Sequence, residues 1–552
     1  MAELLQPIAK DDWGRREATH LLNRAGFGVP RSLGKAFHEM GLERAIDHLV
    51  TFEERPFSFP DPGFIVPFET AQNIRRDARK LDEDERRRQY QLLRREERDA
   101  VHKLTGWWLE RMYRTPRPLE EKLTLFWQGH FVTSAQKVQS SEYNYRYNAL
   151  LREHAAGNLK AFTIAVGQAP SMLHYLDNAK STKGRPNENW ARELLELFTM
   201  GPGNYTEHDI KEAARAFTGW TIRRGEFRYV EKDHDPGAKT FLDRTGNFDG
   251  WDIIDIIFDQ PATAEHFTRE LWTYFAYDNP EPEVVAGLAA TLRANDYALR
   301  PMLRQMFTCR AFYSERAIAT QIKSPAQFLI QIAHDMAIET PPFMEMAKAS
   351  AALGQNLLAP PNVSGWDGNK AWINANSLLN RYNIPPALAG AKAGPLPSEM
   401  ARQDKTMSMT SMAEMMDSGD EAKTDQGNPI RDMLVSLEPA QRKAWRERLR
   451  DASSKAERRR VVAALRREVT GRGPWSAENI FEDLQFSTAG ECIDALAARY
   501  LSVPLTEQQR AVLLDALGAP DGARPMGPAD VASANRNAVL HLLFSTAEYQ
   551  LC

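Results

Sequence analysis

The sequence predicts a mainly α fold: a large multi-helix body with long irregular loops and no sizeable β-sheet. Three observations lead there. Apolar residues recur at helical spacing through most of the 552 residues, stretches alternating apolar and polar residues are scarce, and no segment of fixed length repeats. A chain this long exceeds one ordinary hydrophobic core, so several packed units or one elaborated helical body are expected.

The opening residues, "MAELLQPIAKDDWGRREATH", lack a basic segment followed by a long apolar run and a small-residue cleavage site. No later stretch approaches the ~18 apolar residues of a membrane span. As written, the chain reads as cytoplasmic, with no membrane insertion; an exported location follows only if a leader preceded this start. Lys and Arg total 70 against 74 Asp and Glu, a net charge of −4, which gives no general attraction to nucleic acid or anionic lipid. Cys309, Cys492 and Cys552 stand far apart, which excludes a disulfide framework and a cysteine zinc site.

Residues 70–104 are rich in helix formers with opposite charges four apart, the pattern of a long solvated helix. Nine of the twelve Trp lie between Val101 and Pro386, where charge runs thin out, so the functional body is expected within residues 1–390. Residues 391–430 hold six Met among small and acidic residues with no helical stripe, as in a flexible linker. Helical patterning resumes over 431–552, a region expected to pack on the body.

One stretch carries the densest polar chemistry: "NENWARELLELFTMG", residues 187–201. Wound at 100° per residue, Glu188, Asn189, Arg192, Glu193, Glu196 and Thr199 share one arc, and Trp190, Ala191, Leu194, Leu195, Leu197 and Phe198 the other. Asn187 is placed to cap the start, and Gly201 before Pro202 to end the helix. Arg192 bridges Glu188 and Glu196 by spacing, whereas Glu193 and Glu196 crowd like charges, which raises a carboxyl toward the range a general acid needs. The same pattern also describes an ordinary wet helix face.

The following helix opens with a capping box, Thr206 and Asp209, and leads to a punctuated loop carrying His234, Asp235 and Lys239. A His-Asp pair before Pro is equally a turn device. Upstream, His130 sits among Phe126, Trp127 and Phe131, where a histidine satisfied by backbone is the ordinary expectation. Downstream, the Asn-, Gly- and Trp-rich segment 358–383 offers Trp366, Asn362 and Asn374 to a polar ligand. Aromatic faces beside carboxylates and amides suit sugar rings, which have apolar CH faces and hydroxyl rims.

The stretches "ATHLLNRAGFG", "EKLTLFWQGHF", "NENWARELLELFTMG", "YTEHDIKEAARAFTGW", "HDPGAK", "PPNVSGWDGNKAWIN" and "VLHLLFSTAEYQL" resemble, in order, the large bacterial family catalogued as domain of unknown function 1800, DUF1800. The resemblance implies no assigned activity. It draws attention to His130, Asn189, Arg192, Glu193, Glu196, His234, Asp235 and Lys239 as polar members of the motifs, and it implies a sulfatase-like protein as a partner.

Phosphate loops, zincin helices, hydrolase elbows and dinucleotide fingerprints are absent from the sequence, which sets those chemistries aside. Three readings remain. The first is a hydrolase acting on a carbohydrate substrate, with no cofactor: Glu193, Glu196, Asp235 and His234 catalytic, and His130, Asn189, Arg192, Lys239 and Trp366 contacting substrate. Carboxylates one turn apart reach a sugar from one side, so a Glu is expected to pair with Asp235 across a cleft. The second is a metal-dependent enzyme using Glu193, Glu196, His234, Asp235 and His130 as mixed ligands. The third is a non-catalytic helical scaffold that binds a polysaccharide or a protein.

Overall fold

The computed structural model describes residues 3–28, 31–336, 338, 340–388, 439–451, 461, 480–481, 484–531 and 533–552. Among these residues the chain is mainly α, with 23 α-helices, and its two sheets have only two strands each. Neither sheet serves as a platform for the helices. The Met-rich segment 391–430 lies outside the described residues.

The chain divides into two compact units. The first comprises Met1–Gln331, Phe343–Asn374 and Gln550–Cys552, the second Ile332–Pro342 and Ala375–Tyr549. In the first unit we label α1 (Arg15–Ala25), α2 (Glu83–Arg114), α3 (Pro118–His130), α4 (Ser141–Glu153), α5 (Glu188–Glu193) and α6 (Glu207–Ala216). The hairpins β1 (Trp220–Arg223) with β2 (Glu226–Tyr229) and β3 (Lys239–Phe241) with β4 (Arg244–Gly246) follow, then α7 (Pro261–Phe275). The second unit closes on its own core, including Ile493, Leu496, Val539, Leu543 and Phe544, and its Tyr549 hydroxyl donates to Asp335 Oδ2 at 2.7 Å.

The charged segment expected as one helix over 70–104 is two. Phe68–Ala78 ends before Asp82, whose carboxylate accepts from Glu85 N at 2.9 Å and so starts α2 afresh. This helix is not solvated throughout: Leu93 and Ala100 are buried, and so, toward its end, are Leu104, Trp108 and Leu109.

The centre of the first unit is α3. Pro118 occupies its first turn, where a missing N–H costs nothing, and eleven of its thirteen residues are buried. A helix buried on every face is normally apolar throughout, yet α3 carries Glu120, Glu121 and Lys122 in succession. Glu121, fully buried, accepts from Trp108 Nε1 at 2.9 Å, Arg111 Nε at 2.5 Å, and Arg152 Nε and Nη2 at 2.6 and 3.0 Å. Burial works to raise its carboxyl, but the guanidinium groups of Arg152 and Arg111 outweigh burial and hold it below the usual carboxylate range. This clamp ties α2, α3 and α4 together.

Removing one partner of such a cluster leaves buried charge uncompensated. Glu121→Ala is expected to lower unfolding free energy by about 3–5 kcal/mol, seen as an earlier denaturant midpoint. An unchanged midpoint contradicts the assignment.

Candidate functional site

The 187–201 stretch begins as expected: Asn187 Oδ1 accepts from Asn189 N at 2.9 Å, and Gly201 takes φ +75° at the end. Its second half departs from the 100° winding, because Leu194–Thr199 is a π-helix. Met200 N donates to Leu195 O, five residues back, and the wider turn carries Thr199 from the polar arc into full burial. Two histidines meet the carbonyls of this turn: His130 Nε2 lies 2.9 Å from Phe198 O and His266 Nε2 2.8 Å from Leu197 O. A carbonyl only accepts, so both rings carry their proton on Nε2.

Burial first, and then the Glu196 carboxylate, push the half-buried Glu193 carboxyl up, against the pull of Arg192. Arg192 itself forms a bidentate pair with Glu207 at 2.8 and 2.9 Å and reaches Glu188 at 3.4 Å. Asn189 is exposed.

The His234 loop is held as structure by α6. Asp235 Oδ2 accepts from Arg215 Nε at 2.7 Å, and its Oδ1 caps Gly237 N at 2.9 Å. The Arg215 hydrogen bond is the main reason its carboxyl lies below the usual range. Lys239 is not in a loop but begins β3; its Nζ donates to the carbonyls of Asp235 and Gly237, and burial lowers its ammonium. His234 Nδ1 sits 3.1 Å from Thr218 O. Glu212 and Asp209 receive Thr240 N and Leu242 N, so one face of α6 fastens the whole segment. The described interactions of Glu193 and Glu196 share no residue with those of Asp235 and His234. Among the described residues no three His, Cys, Asp or Glu side chains gather as metal ligands.

Two of the expected site residues do meet. His130 and Trp366 line one cavity of about 220 Å³ in the first unit, with Phe126, Tyr274, Trp372, Glu270, Asp278, Asp367 and Lys122. Its walls come from α3, α7, the 364–372 loop and residues 321–327, joined by Cys552. Close backbone approach seats the loop: Gly365 has φ +85°, and a Cβ there would meet Gly129 O at 2.1 Å, so only glycine fits. Asn369 fixes the far side, donating to Asp278 Oδ2 at 3.0 Å and accepting from Ile322 N at 3.2 Å. The carboxylates of Glu270 and Asp367 have no hydrogen-bond or ion-pair partner among the described residues.

Lys122 was not singled out by sequence reasoning, although Lys122, Phe126 and His130 stand four apart on one face of α3. Its side chain is only 5 % exposed, and Nζ donates to Gln327 Oε1 at 2.7 Å, the amide being oriented by Asn23 O. The rings of Phe27 and Tyr274 flank it at 5.4 and 5.5 Å. Desolvation lowers the ammonium to about 8; charge at Cys552 opposes the shift, and the buried Arg24 adds to it. Desolvation, reinforced by His266, likewise lowers His130 to about 3, so its Nδ1 accepts hydrogen bonds but is a poor base.

The whole-chain pattern agrees with one family. The chain belongs to the family described as Protein of unknown function (DUF1800). Its family model matches residues 20–551. No curated protein and no solved structure matches. In this DUF1800 member, stretches quoted above from 121–131 and 360–374 meet at the cavity, joined by Cys552 just after the last. Among the described residues no helix is long and apolar enough to cross a membrane.

Burial of Lys122 makes stability depend on pH. The folded value of its ammonium, about 8, lies below the ordinary 10.5, so between those pH values the unfolded state binds the extra proton and stability rises with pH. Below that window the burial penalty is complete, about 3 kcal/mol for such a shift. Lys122→Met is therefore expected to be most stabilising, relative to wild type, at neutral pH, and to lose that advantage by about pH 10.5. A pH-independent difference contradicts a desolvated lysine.

Proposed function

We propose that the protein is a hydrolase acting on a carbohydrate, with the terminal sugar ring of its substrate seated in the Trp366 cavity. The observation that supports this reading is the presence of Glu270 and Asp367, two carboxylates from different elements, both without side-chain partners among the described residues and both lining a cavity with Trp366, Trp372, Phe126 and Tyr274. Cleavage of a glycosidic bond needs two carboxyl groups flanking the bond, one protonating the leaving oxygen and one acting as base or nucleophile. Carboxylates on separate walls meet that need better than Glu193 and Glu196, which share one helical turn. A cavity of ~150 Å³ holds a benzene ring, so about 220 Å³ suits one sugar ring rather than an extended chain. That favours attack at a chain end.

In this reading Trp366 offers an aromatic face to the ring, and His130 Nδ1 accepts a hydroxyl. Asp235 and Lys239, held by Arg215 and by backbone carbonyls, serve the framework instead. Glu193 is the alternative acid, favoured by its raised carboxyl.

Release of reducing ends from a panel of oligosaccharides and polysaccharides is the assay. Glu270→Gln and Asp367→Asn are each expected to lower turnover about 10²–10⁴-fold, the range for loss of a positioned acid or base, with the fold intact by circular dichroism. Full activity in both variants overturns the site; loss confined to Glu193→Gln moves the acid to α5.

A further inference from the structure

The floor of the cavity carries chemistry that glycoside hydrolysis does not use. Lys122 is a charged residue lying inside a core, and the only described hydrogen-bond partner of its Nζ is a neutral amide oxygen, Gln327 Oε1. No carboxylate forms an ion pair with it among the described residues; charge at Cys552 favours the ammonium, and Arg24, 1 % exposed, places a second buried positive charge that opposes it. Aromatic rings flank the amine on two sides. A lysine that is desolvated and placed near another cation is the arrangement by which an amine becomes nucleophilic at neutral pH.

We propose that Lys122 is a nucleophilic amine whose Nζ forms an imine with an aldehyde or ketone admitted to this cavity. The nitrogen lone pair adds to the carbonyl carbon, and the carbonyl π pair moves to oxygen, giving a carbinolamine. Loss of that oxygen together with two protons, as water, leaves the C=N bond. One amine and one carbonyl compound give one imine and one water, with no oxidant or reductant. Gln327 Oε1 orients Nζ by accepting one hydrogen. Aromatic rings of the cavity cover the apolar part of the ligand, and Glu270 and Asp367 receive its hydroxyls. The ligand class is a small polyhydroxylated carbonyl compound, of which the open-chain form of a reducing sugar is one. This inference shares the cavity with the proposed hydrolysis but does not rest on it.

The test uses the full chain, D-glyceraldehyde as probe and sodium cyanoborohydride to reduce any imine to a stable secondary amine, followed by peptide mapping. Exposed lysines keep a pKa near 10.4 and are almost wholly protonated at neutral pH. Early labelling at Lys122 is therefore expected to exceed that at exposed lysines by about tenfold or more. Lys122→Arg keeps positive charge and is expected to lose this fast adduct while labelling elsewhere continues. Labelling of Lys122 at or below the level of surface lysines overturns the proposal, as does a fast adduct that persists in Lys122→Arg. Should that variant fail to fold, the wild-type map alone decides. Because no glycosidic bond is involved, a positive map with inactive glycosides sinks the hydrolase reading only.

Discussion

Burying α3 on all sides is the constraint on which the first unit depends. The sequence Glu120-Glu121-Lys122 would be unremarkable on a wet surface, but inside a core each charge must be answered. Glu121 is answered by two arginines from α2 and α4, which fixes the angle between three helices. Lys122 has no counter-charge bonded to it, and burial lowers its ammonium to about 8, so its proton is held less tightly than an ordinary lysine's. His130 discards its charge and gives its Nε2 hydrogen to the carbonyl of Phe198. Three solutions to one desolvation problem thus set the architecture, the reactive amine and the link to the π turn.

The same helix organises what is distant in sequence. Gly129 and Gly365 let two backbones touch, and Trp366 follows as the first side chain able to turn back over α3. Its ring lies against Gly129, where a Cβ would come within 3.3 Å of it. On the other side, the π turn presents successive carbonyls to His130 and His266, whose rings stand 6.0 Å apart. The cavity is consequently built on helices and one pinned loop, which gives its polar groups the rigidity that a functional site requires.

Much of this was legible beforehand, and the limits have physical reasons. Helical periodicity gave the fold class, and cap chemistry marked Asn187 and the Thr206-Asp209 box. His130 and Trp366 were picked out, yet nothing in their spacing said that they share a wall. Periodicity tells which residues share a face of one helix, not which faces enclose a space. For the same reason Glu270 was invisible: its role comes from α7 lying beside the 364–372 loop. The 100° winding failed at Leu194–Thr199 because a π turn has its own rotation per residue. Asp235 as a catalytic group and Lys239 as a substrate contact are readings of a polar loop, and a loop fastened by its polar residues reads alike as letters; the Arg215 pairing with Asp235 and the carbonyls around Lys239 Nζ appear only in three dimensions.

Lys122 is held out of water by α3 and the rings around it. Heteronuclear NMR of the protein labelled with ¹³C and ¹⁵N on lysine side chains, with Lys122 assigned from its Arg variant, reads this directly. The prediction is a Lys122 Nζ titration with its midpoint at about 8. A midpoint at the ordinary 10.5 would mean that the amine is solvated or paired, and the cavity would lose its defining group.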